Sequence, residues 1–116
     1  MKPDQSFQLY IWQRASAALM VPFIAAHLVL MFYATRQQLT AADILARTRG
    51  SIGWAAFYGS FVLLAAVHGA IGVRTVMADW VSTPERVRGA VMWGFGVLLT
   101  VLGLRAVIAV IWPGML

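Results

Sequence analysis

The sequence predicts an all-α integral membrane protein with three transmembrane helices in one unit spanning residues 1–116. Two observations carry this. Of the 116 residues, 61% are hydrophobic and only 11% charged, whereas a soluble domain carries about 25% charged residues. Three apolar stretches each exceed the ~20 residues needed to cross a ~30 Å hydrocarbon core. Within lipid only a helix satisfies its backbone groups inside one segment, so the stretches read as helices rather than strands. So small a chain has too little polar surface to cover itself in water, and lipid or a partner must cover it.

The first stretch runs from about Tyr10 to Thr35, and its centre carries only Ser16 and His27 as strongly polar groups. Pro22 falls inside it and predicts a kink. A polar connection from Arg36 to Gly50 leaves room for a short surface helix over Ala41 to Arg47. The second stretch covers about Ile52 to Trp80. The S-T-P-E connection that follows predicts Thr83 as N-cap with Pro84 at the first helical position. The third stretch covers about Gly89 to Trp112, with Arg105 inside it, and Pro113 and Gly114 end it. Trp12, Tyr33, Trp54, Trp80 and Trp112 fall near span ends, where interfacial aromatics belong.

Composition also excludes several functions. With no cysteine, the chain forms no disulfide, thiolate metal site or iron–sulfur cluster. The net charge of +5 comes from nine scattered basic residues with no basic stripe, which argues against nucleic acid as a partner. The N-terminal segment has early polar residues and too long an apolar stretch for a signal peptide. Lys2, Arg14, Arg74, Arg86 and Arg88 fall on one side of three spans, and Arg36, Arg47, Arg49 and Arg105 on the other. That balance favours a cytoplasmic N-terminus in a multi-pass protein.

Ionisable groups inside spans are costly and call for a reason. His68 lies near the middle of the second span, with Ala65, Gly69 and Gly72 at helical spacings around it. A flat macrocycle needs such a shallow surface beside an axial imidazole. The alternative is a histidine that hydrogen-bonds a neighbouring helix while the glycines serve packing. Asp79 and Trp80 follow eleven residues later, about 16 Å along the axis. Arg14 opens the first span at the same membrane face. A cation, a carboxylate and an indole at one boundary suit a quinone head group, or simply an interfacial anchor. His27, about 20 Å beyond Arg14, is placed near the depth of His68. It is open to three readings: a second haem ligand, a hydrogen-bond donor near the first haem, or a packed interhelical group. Arg105 either snorkels outward or meets a haem propionate.

The segment from His68 to Trp80 reads H-x3-G-x-R-x4-D-[aromatic], with Gly72, Arg74 and Asp79 at its inner positions. It resembles the second-helix motif of the membrane-anchor subunits of succinate dehydrogenase (respiratory complex II) and related fumarate reductases. The first span, with Arg14-Ala-Ser16, is similar to the Arg-x-[Ser/Thr] start of helix one in those subunits. Length and three spans agree, and the early first helix resembles the smaller of the two anchors.

The resemblance implies a bundle of two anchor subunits that holds a flavoprotein subunit and an iron–sulfur subunit on the bilayer. It implies electron transport from succinate to a quinone, as in the tricarboxylic acid cycle, at a bacterial inner membrane. It further implies b-type haem, one or two, between the anchors, with His68 as axial ligand and His27 as the candidate for a second haem. Arg14, Ser16, Asp79 and Trp80 match positions at the quinone pocket, and Arg74 and Arg105 are candidate propionate partners. Trp80 departs from the tyrosine that many members carry there. The chain itself has no succinate-oxidising site. Two alternatives stand beside this: another small membrane cytochrome b or quinone-reactive anchor, and a structural anchor without haem.

Overall fold

The computed structural model describes residues 3–115, with only the backbone of Pro3, and Lys2 lies outside them. Four helices follow one another: α1 (Pro3–Arg36), α2 (Ala41–Thr48), α3 (Ile52–Trp80) and α4 (Glu85–Ile111). No strand occurs among the described residues. Helices α1, α3 and α4 are each long and apolar enough to cross a membrane. At 1.5 Å per residue the 34 residues of α1 reach about 51 Å, well beyond the hydrocarbon slab.

The extra length is at the N-terminus, where α1 starts seven residues before the apolar stretch. Pro3 opens the helix and Asp4 lies in its first turn. Proline's fixed φ suits that position and a carboxylate complements the helix dipole. Polarity hides such a start from a search for apolar runs. The helix continues through Pro22. Helix α2 matches its expected place. Thr40 caps it by accepting from the Asp43 N–H, while the Thr40 N–H donates to Asp43 Oδ2 at 2.9 Å.

The start of α4 differs from the expectation by one residue. Pro84, not Thr83, is the N-cap, extended at ψ 148°, and no side chain caps the helix. The Thr83 carbonyl instead accepts a hydrogen bond from Arg88 Nη1, which keeps the chain extended through Pro84. At the other end, α4 is tied to the α2–α3 connection. Thr48 Oγ1 donates to the Val110 carbonyl at 2.8 Å, and the Gly50 N–H donates to the Ile111 carbonyl at 2.7 Å. Gly50 has a left-handed φ of +71°, which glycine adopts without a Cβ penalty. These two bonds occupy carbonyls that a helix end leaves unpaired.

Helix α3 is the centre of the bundle, packed along α1 on one side and α4 on the other. The α3–α4 seam is built from small residues. A Cβ on Gly96 would meet Ala70 Cβ at 3.2 Å, and one on Gly103 would collide with Val62. In lipid the apolar side chains gain nothing by leaving solvent, so such close backbone approach carries helix association. Outward faces are apolar: Phe32 is 67% exposed, Val29 66% and Trp93 71%. Buried residues such as Ala66, Ala70 and Ile71 are few and mostly small. This exposure of large apolar groups fits a chain whose solvent is lipid and partner protein.

Gly103→Leu should lower the stability of the helical bundle in detergent by about 1–3 kcal/mol, because Val62 leaves no room for a side chain. Gly94→Ala, at a glycine with nothing within 4 Å, should leave it nearly unchanged. Thermal denaturation followed by circular dichroism compares the two. The Thr40 N–H, followed by the Thr40 hydroxyl, holds the Asp43 carboxyl below the ordinary 3.8. The contribution of this cap to α2 is therefore present above the ordinary pKa and lost as pH falls through the lowered one. A carbon-13 titration of the Asp43 carboxyl should show the lowered midpoint, and Thr40→Gly should raise it.

Candidate functional site

The antiparallel register of α1 and α3 fixes where the polar groups lie. Gln13 Nε2 lies 3.5 Å from the place a Cβ on Gly72 would occupy. Further along, Phe23 stacks on Phe57 with ring centroids 5.3 Å apart, and reaches Phe61 at 6.0 Å. His27 then meets Tyr58 at 6.0 Å and Phe61 at 5.9 Å, edge to face. This pairing sets Ala17 of α1 at the level of His68. Ser16, beside it, is 2% exposed and donates to the Gln13 carbonyl at 3.1 Å.

His68 is half-buried at mid-span. Its Nδ1 is buried without a hydrogen-bond partner, and no hydrogen bond reaches either ring nitrogen among the described residues. Eleven residues are three helical turns, so Asp79 lies on the same face of α3, nearer the membrane boundary. Asp79 is exposed and Trp80, at 84%, is the most exposed large hydrophobic side chain of the described residues. The imidazole thus has a free ring nitrogen and a face continuing to an open carboxylate.

Several expectations change against this geometry. The glycines flanking His68 are not a bare surface. Gly69 faces Leu99 and Phe95 of α4, where a Cβ would lie 3.1 Å from Leu99 Cδ1, and Gly72 faces Gln13. Both serve helix packing. His27 is not at the depth of His68, because its partners lie seven to ten residues before His68, about 10–15 Å along the axis. Arg14 is not a helix start but sits about three turns inside α1. For the same reason Arg14 is level with Ile71, about 12 Å deeper than Asp79. Its guanidinium folds back over the Tyr10 ring at 5.6 Å, which recovers one turn of that distance. Arg105 is exposed on α4.

Arg74 lies about 120° round α3 from His68. It is 8% exposed and pairs with Glu85 at 3.5 Å. The two stand at one end of a groove of about 710 Å³ between α1 and α4, over a face of α3 away from His68. Gln5, Gln8, Trp12 and Trp93 also line that end, while Leu63 and Val101 line the apolar end. Sequence reading missed the groove and the pair. The glutamate two residues past Thr83 was visible, but only the short α3–α4 turn brings it to Arg74. Gln13 was likewise passed over, although a carboxamide in the third turn of a membrane helix is a signal in its own right.

Among the described residues no three His, Asp or Glu side chains come together to hold a metal ion. A metal bound at His68 would therefore need further ligands from a macrocycle or another chain, and one imidazole with an unpaired nitrogen fits a single place in such a set.

A three-span bundle with buried unpaired histidine nitrogens and large uncovered apolar faces defines an integral membrane protein. The chain matches the succinate dehydrogenase/fumarate reductase transmembrane subunit family over residues 1–109, and it belongs to that family. Neither a curated protein nor a solved structure matches it.

The Arg74–Glu85 pair should show weak coupling, because Glu85 is 43% exposed and solvent screens the attraction. A double-mutant cycle with Arg74→Gln and Glu85→Gln should give about 1 kcal/mol or less in thermal denaturation.

Proposed function

We propose that this chain is a haem b-binding membrane anchor of a succinate:quinone oxidoreductase, with His68 as one axial ligand and a second anchor subunit giving the other. The observation that carries this reading is the half-buried His68 ring, whose nitrogens have no hydrogen-bond partner among the described residues. Unpaired imidazole in the middle of a span is costly, and ligation to iron offsets that cost. When bound, the haem supplies a one-electron store between donor and acceptor.

The chain contributes one haem ligand rather than two. His27 Nδ1 is likewise buried without a hydrogen-bond partner, but its ring is engaged edge-on by Tyr58 and Phe61 in the α1–α3 interface, which supports a packing role. Propionate contact falls to Arg105 rather than Arg74, which is engaged by Glu85.

Quinone binds at the end of α3 where Asp79 and Trp80 are exposed. Asp79 carries the proton role, and the Trp80 indole N–H donates a hydrogen bond but does not pass on a proton at working pH. Arg14 reaches toward this end along Tyr10. Its remaining axial distance from Asp79 supports a pocket completed by the iron–sulfur subunit and the second anchor. Ser16, sealed in the α1–α3 interface, supports the path of α1 rather than touching quinone. The flavoprotein and iron–sulfur subunits dock on that same membrane face. The setting is a bacterial inner membrane with the N-terminus in the cytoplasm, and electron flow belongs to the tricarboxylic acid cycle and respiratory complex II.

The purified complex should give a reduced-minus-oxidised b-type spectrum that His68→Ala abolishes and His27→Ala leaves in place. An unchanged spectrum in His68→Ala contradicts the ligand role. Asp79→Asn and Arg14→Gln should each cut quinone reduction about tenfold or more. Succinate oxidation with a soluble artificial acceptor should hardly change. Full quinone reduction in both variants would support a structural anchor.

A further inference from the structure

Two unfinished hydrogen bonds face one another's neighbourhood across the α1–α3 seam. His68 Nδ1 is buried with no partner, and Gln13 Oε1 is buried with no partner. We propose that Gln13 is the positioning residue of His68: its Oε1 accepts the Nδ1–H proton, directly or through one water. The inference rests on the haem reading above and adds to it the group that orients the ligand.

The chemistry of the two atoms is complementary. Iron on Nε2 leaves the ring's proton on Nδ1, which then needs an acceptor. A carboxamide oxygen is an acceptor and never a donor. Metal-bound histidines almost always donate the second ring N–H, and the acceptor fixes both the tautomer and the ring orientation. A buried N–H left unpaired in a membrane span has no water to turn to.

Geometry brings the pair within reach. The Gln13 amide nitrogen lies 3.5 Å from the point where Gly72 would carry a Cβ. Gly72 is one helical turn beyond His68 on the same face, and Cβ positions one turn apart are about 6 Å distant. The carboxamide thus sits one turn from the imidazole, a gap that a side-chain rotation or a single water closes. Ser16 is the other polar group nearby, and its hydroxyl proton goes to the Gln13 carbonyl.

An acceptor at Nδ1 gives the imidazole more anionic character and makes it a stronger donor to ferric iron. Removing the acceptor should therefore raise the haem midpoint potential, and a charged acceptor should lower it. The test uses the whole complex in mild detergent, with potentiometric titration of the haem and the ferric EPR g values as readouts. Gln13→Met should shift the midpoint upward and Gln13→Glu downward, with the low-spin g values moving in opposite senses. Wild-type values in both variants, or shifts of one sign, overturn the proposal. So does a shift in Ser16→Ala with none in Gln13→Met, which would give the role to Ser16. If Gln13→Glu does not assemble, Gln13→Met alone decides, since its length and volume suit the same space. Failure of the haem reading looks different: the wild-type complex lacks a b-type spectrum, or His68→Ala retains it, and the Gln13 role falls with it.

Discussion

Hydrocarbon offers no hydrogen bond, and that constraint shapes this protein more than any other. Every polar atom inside the slab must be paired within the chain, turned toward the boundary, or left for a ligand or a partner. Most follow the first two routes. Ser16, Thr75 and Thr100 donate to carbonyls of their own helices, and Arg14 folds over Tyr10. Arg74 meets Glu85 at the end of its span. What remains is a short set of buried unpaired atoms that includes His27 Nδ1, His68 Nδ1 and Gln13 Oε1.

The same constraint explains the packing. Since lipid solvates the large side chains, association of α3 with its neighbours relies on close backbone approach. Gly96 and Gly103, two turns apart on α4, meet Ala70 and Val62 on α3. Helix α3 is held from both sides and becomes the rigid element on which His68, Asp79 and Trp80 are spaced. A site that must keep a fixed distance between a mid-membrane group and a boundary group gains from being on one straight helix. The side chains at the periphery, by contrast, stay uncovered and await the rest of an assembly.

The three spans were legible because apolar length is set by bilayer thickness and needs no tertiary information. The short helix α2 was legible too, as a surface helix over Ala41 to Arg47 within a polar connection. The beginning of α1 was not, because its first two turns are polar and their helicity comes from Pro3, Asp4 and continuity with the span. That one error misplaced Arg14 and with it the depth of His27. The glycines beside His68 show another limit: sequence reveals smallness but not which neighbour uses it, and here α4 and α1 do. The Arg74–Glu85 pair was hidden for a related reason, since a four-residue turn brings the two helix ends together.

On the proposed function, the separation of Arg14 from Asp79 leaves the quinone end of this chain for other subunits to complete, and the iron at His68 likewise needs a ligand from a second anchor. The proposed ligand pair of the iron is therefore the most direct point of test. Near-infrared magnetic circular dichroism of the oxidised complex reads that pair directly. The wild-type complex should show a bis-histidine charge-transfer band, and His68→Met should replace it with the band of a histidine–methionine pair. A bis-histidine band that persists in His68→Met would contradict the account.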